Sequence, residues 1–99
     1  MTYTMNKNGN VMEIAVEGRL DTVSAPDLDN ALENLPKDVD TLVFDFSKLD
    51  YISSAGLRVL IRVHRELPRG GKTKILNSNS VVREVFSVTG LSDVIEIVE

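Results

Sequence analysis

The stretch Leu42-Val-Phe-Asp-Phe-Ser-Lys-Leu-Asp-Tyr-Ile-Ser-Ser-Ala-Gly-Leu57 decides the fold. Its first part, Leu42 to Phe46, is mostly apolar and lacks the alternation of a half-buried strand, so it predicts a buried parallel strand. A short polar turn then ends in Ser53-Ser54, and an amphipathic helix is predicted from about Ala55 to Leu67. The stretch therefore predicts a strand–turn–helix unit with hydroxyls at the helix N-terminus.

That position favours negative charge, because the first backbone N–H groups of a helix are free and the helix dipole is positive there. Two interpretations of Ser53-Ser54 follow from the residues. In the first, one serine only caps the helix N-terminus. In the second, the pair is a phosphoacceptor or an anion-binding site.

The segments on either side of this unit predict three further strands and two further helices. Before it, Asn8-Gly9-Asn10 is a tight-turn signal, and Ser24 is a candidate N-cap within the loop Gly18–Pro26. The predicted elements are strands Thr2–Asn6, Val11–Val16 and Lys72–Leu76, a helix that begins at Ala25 and runs to about Leu35, and a helix over Val81–Ser87. Leu91–Val98 is either a strand or a last helical turn.

Helices between these strands imply right-handed crossovers and parallel pairing. We therefore expect a small α/β fold with one mixed, mostly parallel β-sheet, in which an N-terminal hairpin precedes a βαβαβα order. Residues 1–99 are expected to form a single domain.

Composition narrows the function classes. Cysteine is absent and there is one histidine, so we expect neither disulfides nor a metal or other cofactor. No apolar run resembles a signal peptide or a membrane span, which predicts a cytoplasmic protein that does not contact a membrane. A net charge of −4 argues against direct nucleic-acid binding. The main basic series is expected to be a solvated helix face: Arg58, Arg62, Arg65 and Arg69.

Two other side chains, Asp45 and His64, are candidate reactive groups. Asp45, expected at the end of a parallel strand, is either a plain polar residue or a phosphoaspartate of the receiver type, although the companion residues of a receiver are not evident. His64, at the edge of the apolar stripe of its helix, is expected to be a packed side chain. A catalytic Ser54–His64 pair is excluded because ten helical residues span about 15 Å. We expect no catalytic residue and no enzymatic activity.

Three motifs follow one another along the chain. The central one is Asp45-x-Ser-x-Leu-x-Tyr-Ile-Ser-Ser-Ala-Gly-Leu-Arg-Val-Leu60. It is flanked by Gly18-Arg-Leu-Asp21 with Ser24-Ala25-Pro26, and by Arg83-Glu-Val-Phe86-Ser-Val-Thr89-Gly90-Leu91. Together these motifs extend from about Glu13 to Ile95, and in this order they resemble the STAS domains of bacterial anti-sigma factor antagonists.

The resemblance implies a site. The family pattern Asp-Ser-[Ser/Thr]-Gly, aligned on Gly56-Leu57, makes Ser54 the phosphorylated serine and Ser53 the second choice. Ser53 replaces the usual aspartate and Ala55 the second hydroxyl residue, so phosphorylation or the kinase contact can differ here. Asp21 matches an acidic residue near the acceptor that contributes to kinase binding. The predicted partner-binding set is Asp21, Thr22, Ser24, Ser53, Ser54, Ala55, Gly56, Leu57 and Arg58.

The resemblance also implies partners. Unmodified Ser54 would permit binding to an anti-sigma factor with serine kinase activity, which releases a sigma factor. Phosphorylation of Ser54 would end that binding, and a PP2C-type phosphatase would restore it. A non-phosphorylated adaptor or scaffold and a small-ligand module that binds a nucleotide or anion are the alternatives. The chain is expected to be a monomer.

Overall fold

The computed structural model describes residues 1–98, which form one five-stranded sheet covered by helices on one face. The strands lie in sequence order across the sheet. The first pairs antiparallel with the second, and all later neighbours pair parallel. They are β1 (Thr2–Asn8), β2 (Val11–Leu20), β3 (Thr41–Ile52), β4 (Lys72–Leu76) and β5 (Glu96–Val98). This is the predicted mixed, mostly parallel α/β sheet.

Three helices connect the parallel strands: α1 (Ala25–Ala31), α2 (Ser54–Arg65) and α3 (Ser80–Thr89). Because the strands follow one another in a single direction and right-handed crossovers are the rule, all three helices lie on the same face. Alternate strand residues point into the core under them, including Ile14, Phe44 and Ile75, each fully buried. Aromatic contacts join Phe46 to Phe44 and to Phe86 of α3, with ring centroids 5.8 and 6.4 Å apart.

The strands of the central pair are longer than predicted. The residues assigned to a polar turn after Phe46 continue β3 as far as Ile52, and the first part of the loop assigned to Gly18–Pro26 belongs to β2. The two strands stay paired through register shifts at Ala15/Glu17 and Gly18/Arg19, where the pairing skips residues. The prediction was wrong here because such bulges break the alternation by which a strand is recognised.

The first helix and the C-terminal segment also depart from expectation. α1 ends at Ala31, and the chain to Asn34 forms turns, so the predicted continuation to Leu35 is wrong. Leu32 still packs in the core, which explains how a helical spacing of apolar residues outlasts the helix. At the C-terminus both interpretations are realised in succession, as a 3₁₀ turn (Leu91–Asp93) and then β5.

The N-terminus of α2 lies unusually close to the ends of β2 and β3, and Gly56 permits this. A Cβ atom at Gly56 would lie 2.8 Å from Ile52 Cγ1 and 2.8 Å from Leu20 Cγ, both in fully buried side chains. These distances are shorter than any normal carbon–carbon contact. The glycine therefore sets how closely the helix start approaches the sheet.

We expect Gly56→Ala to lower the free energy of unfolding by about 1–3 kcal/mol, the range for an overpacked core. The loss should occur although alanine is the better helix former. Urea unfolding measures it, with Ser54→Ala at the exposed start of the same helix as the control. A Gly56→Ala variant as stable as this control would contradict the close contact.

The caps of α2 and α3 should respond differently to alanine. Asn79 caps α3 by accepting from Val82 N at 2.8 Å, and it donates to Leu49 O at 3.0 Å. Ser53 occupies the N-cap position of α2 but makes no side-chain cap hydrogen bond. Asn79→Ala should therefore cost about 1–2 kcal/mol, whereas Ser53→Ala should change stability by less than about 0.5 kcal/mol. Equal losses in thermal or urea unfolding would contradict this difference.

Candidate functional site

Ser53 and Ser54 differ sharply in accessibility. Ser54 is the first residue of α2 and is exposed. The Ser53 hydroxyl is buried and has no hydrogen-bond partner among the described residues. Of the two, Ser54 is thus the hydroxyl that another protein can reach without local unfolding.

A backbone hydrogen bond brings the Asp21 loop beside these serines. Ser53 N donates to Leu20 O at 2.9 Å, which joins the start of α2 to the end of β2. Asp21 follows Leu20 directly, so its loop and the serine pair lie at the same end of the sheet. Residues from two separate motifs are therefore gathered into one surface.

The Asp21 loop is held by its own hydrogen bonds. Asp21 Oδ1 accepts from Val23 N and Ser24 N, each at 3.1 Å. The Ser24 hydroxyl donates to Arg19 O at 2.7 Å and accepts from Asp21 N at 2.9 Å. Ser24 occupies the N-cap position of α1, as predicted, but its side chain makes no cap hydrogen bond. Its hydroxyl is instead used within the loop.

These hydrogen bonds set the charge state of Asp21. The backbone hydrogen bond from Ser24 is the main cause that lowers the pKa of Asp21 below its ordinary value. Arg19 Nε lies 3.8 Å from Asp21 Oδ2, and the Arg19 guanidinium stacks 4.5 Å from the centre of the Tyr51 ring. The loop thus presents a fixed carboxylate next to a positioned cation.

Val23 was not among the residues predicted for the partner-binding surface. It lies in the Asp21 loop and is 87% exposed, more than any other large apolar side chain among the described residues. Thr22 beside it is also exposed. An apolar residue within a loop of turn-forming residues was the available signal, since a loop without a core to cover has no structural need for it.

The remaining residues of the predicted partner-binding set fall into an exposed group and a buried group. Arg58 is exposed one helical turn after Ser54, and Ala55 is partly exposed. Gly56 and Leu57 are buried, so they lie beneath the surface to which they were assigned. We call the partly exposed Asp21 and the exposed Thr22, Val23, Ser54 and Arg58 together the serine surface.

The basic series on α2 is not uniform. Arg62 is partly buried and forms ion pairs with Asp29 of α1 at 2.6 Å and with Glu66 at 2.5 Å. Arg58, Arg65 and Arg69 are exposed. Arg62 therefore joins two helices, and only the other arginines form the expected solvated face.

Asp45 and His64 lie apart from the serine surface. Asp45 is in the middle of β3, not at its end as predicted, and accepts from Ser47 N at 3.0 Å and Asn77 Nδ2 at 3.2 Å. The Ser47 hydrogen bond is the main cause that lowers its pKa. His64 Nδ1 lies 2.8 Å from Thr73 Oγ1, as expected for a packed side chain.

Residues 1–98 contain neither a cluster of metal ligands nor a membrane-spanning helix. No three carboxylate or imidazole side chains converge as metal ligands there. None of the helices in that part of the chain has the length and apolar character needed to cross a bilayer.

The sequence and the fold were compared with known proteins. BtrV of Bordetella bronchiseptica is 34% identical over 92 residues, which cover 91% of this chain and 79% of that protein. The anti-sigma-B factor antagonist of Bacillus subtilis is 29% identical over 94 residues, 94% of this chain and 86% of that protein.

Among solved structures, the Bacillus anti-sigma factor antagonist SpoIIAA resembles this fold in both of its forms. The unphosphorylated form has a TM-score of 0.78 at 23% identity, covering 99% of this chain and 89% of that one. The phosphorylated form has a TM-score of 0.76 at 22% identity, covering 99% and 92%. The STAS domain family matches residues 2–99. The chain therefore belongs to the STAS domain family, among relatives that are anti-sigma factor antagonists.

Proposed function

We propose that this chain is an anti-sigma factor antagonist whose binding is switched by phosphorylation of Ser54. In the unmodified state the serine surface binds an anti-sigma factor that is also a serine kinase, and this binding frees a sigma factor in the cytoplasm. The kinase transfers the γ-phosphoryl group of ATP to Ser54 and leaves ADP. A PP2C-type phosphatase hydrolyses the phosphoserine and restores binding. The chain itself acts as a binding module, not as an enzyme.

The observation that carries the proposal is the contrast between an exposed Ser54 and the buried Ser53 hydroxyl. A kinase must reach the acceptor oxygen with its active site. Ser54 meets that need at the start of a long helix, and the Asp21 loop lies beside it through the Ser53–Leu20 hydrogen bond. This arrangement supports Ser54 as acceptor and the loop as part of the contact.

The fold would tolerate the phosphate. The first turn of α2 contains no acidic residue, so the positive end of the helix dipole is free to interact with a phosphoserine. Arg58 follows Ser54 by four residues, the spacing at which side chains on a helix meet. The resemblance of SpoIIAA to this fold in both its forms is consistent with a phosphate that leaves the fold intact.

The same phosphate would oppose partner binding. It places close to two negative charges on a surface that already presents the Asp21 carboxylate. At a desolvated interface, a new charge without a counter-charge costs several kcal/mol. That cost is large enough to separate a complex of modest affinity.

A constitutive scaffold is the second candidate, and one observation favours it. The family's aspartate is replaced by Ser53, whose buried hydroxyl presents no charge to a kinase. In that case the serine surface binds its partner permanently. The fate of Ser54 in cells distinguishes the two functions.

We expect phosphopeptide mapping of the protein from its own cells to find phosphate on Ser54, with an occupancy that changes between growth conditions. Ser53 should be unmodified, because its hydroxyl is buried. Mass spectrometry with fragmentation that separates adjacent serines makes the assignment. Absence of phosphate on both serines under all conditions, with a partner still bound, would favour the scaffold.

The variants Ser54→Ala and Ser54→Asp should separate binding from folding. In pull-downs from the same cells, Ser54→Ala should retain an anti-sigma factor that phosphorylates the wild-type chain, whereas Ser54→Asp should lose it. Thermal unfolding should be unchanged in both, because Ser54 is exposed. Equal retention of the partner by the two variants would exclude the switch.

Asp21→Asn should weaken binding of that partner by roughly tenfold, as expected when a charged contact at an interface loses its charge. The asparagine oxygen can still accept from Val23 N and Ser24 N, so the loop should keep its shape. Asp50→Asn, at an exposed carboxylate on β3, is the matched control. The prediction fails if the two variants bind equally well.

A further inference from the structure

The sheet face opposite the helices is uncovered. Strands β2 to β5 are parallel, and parallel sheets normally have both faces covered. Here the second face carries apolar residues that are only partly buried by their neighbours. They are Val11, Ala15, Val43 and Leu76, with Val98 at the edge.

The strand register arranges this open face in rows. One row joins Glu13, Val43, Lys74 and Glu96 across β2 to β5. The next row joins Ala15, Asp45, Leu76 and Val98. Each row therefore has a β3 residue in the middle, flanked by one residue from β2 and one from β4.

We propose that the open face packs against the same face of a second copy, around a two-fold axis that runs along β3. This rotation keeps each row and exchanges the β2 and β4 sides. Glu13 then faces Lys74 of the second copy, and Val43 faces Val43 of the second copy. The small Ala15 faces the larger Leu76. Each of these contacts except the central one occurs twice.

The charges on the face are available for these contacts. Among residues 1–98 Glu13 forms no ion pair, and Lys74 reaches Glu96 only at 3.9 Å. A two-fold axis across the strands through Val43 would instead bring Glu13 onto Glu13 and Lys74 onto Lys74. The charge pattern thus favours the axis along β3.

Two features limit the affinity. Asp45 lies beside the axis and faces Asp45 of the second copy, so two like charges repel each other across the interface. The face spans five strands and about 20 Å along them, so two copies bury roughly 1,000 Å² in total, at the low end for specific interfaces. We therefore expect a dimer with a dissociation constant of about 10–100 µM.

The dimer leaves the serine surface free, because α2 packs on the opposite face of the sheet. The inference is independent of the proposed function: it concerns different residues and requires no partner protein. It differs from the monomer expected from the sequence, and the oligomeric state in solution distinguishes the two.

Sedimentation velocity of the purified chain from about 10 µM to about 1 mM tests the proposal. The wild-type mass should rise from that of one chain towards that of two. Glu13→Lys and Lys74→Glu should each weaken dimerisation at least about tenfold, since each places like charges in two symmetric contacts. Glu84→Lys, at an exposed position on α3, should leave dimerisation unchanged.

Mixing the two variants gives the sharpest result. In a heterodimer of Glu13→Lys with Lys74→Glu, both cross-contacts again join opposite charges, so the mixture should dimerise although neither variant does alone. Circular dichroism melts confirm that each is folded; if Lys74→Glu is unstable, Lys74→Gln replaces it. The mixture with Lys74→Gln should then show only partial rescue, because one of the two cross-contacts joins opposite charges and the other is neutral. A wild-type chain that stays monomeric at 1 mM, or variants that dimerise like it, would overturn the proposal.

Discussion

The close approach of three chain segments at Gly56 is the constraint on which the rest of the structure depends. The end of β2, the end of β3 and the start of α2 meet there, because a residue without Cβ lets Leu20 and Ile52 contact the helix directly. The hydrogen bond from Ser53 N to Leu20 O closes the same junction. Core packing and the position of Ser54 are therefore set by one contact, and neither can change without the other.

This junction separates the two adjacent serines. The chain enters Ser53 in an extended conformation, with φ −99° and ψ 177°. Its hydroxyl is buried, whereas Ser54 is exposed. Of two serines at adjacent positions, one therefore has a buried hydroxyl and the other is accessible to a partner.

Much of the fold could be predicted from the sequence because its strongest signals are local. The Asn8–Asn10 turn, the apolar run from Leu42 and the amphipathic α2 each depend on a few neighbouring residues. What failed depends on distant partners. The continuation of β3 to Ile52 requires the bulged pairing with β2. The use of Ser24 inside its loop requires the carbonyl of Arg19, a contact that a capping pattern does not contain.

The candidate site shows the same division. Motif resemblance was enough to bring Asp21 and Ser54 together, because the family pattern already encodes a distant contact. It carried no information on burial, so Gly56 and Leu57 were included and Val23 was left out. The uncovered sheet face is the feature that such sequence patterns predict least well. The run Leu42–Phe46 predicted burial on both sides of β3, yet one chain supplies helices for one side only. A second copy on the other side would bury Val43 as that run implies, while the serine surface, on the helix side, keeps its access to partners.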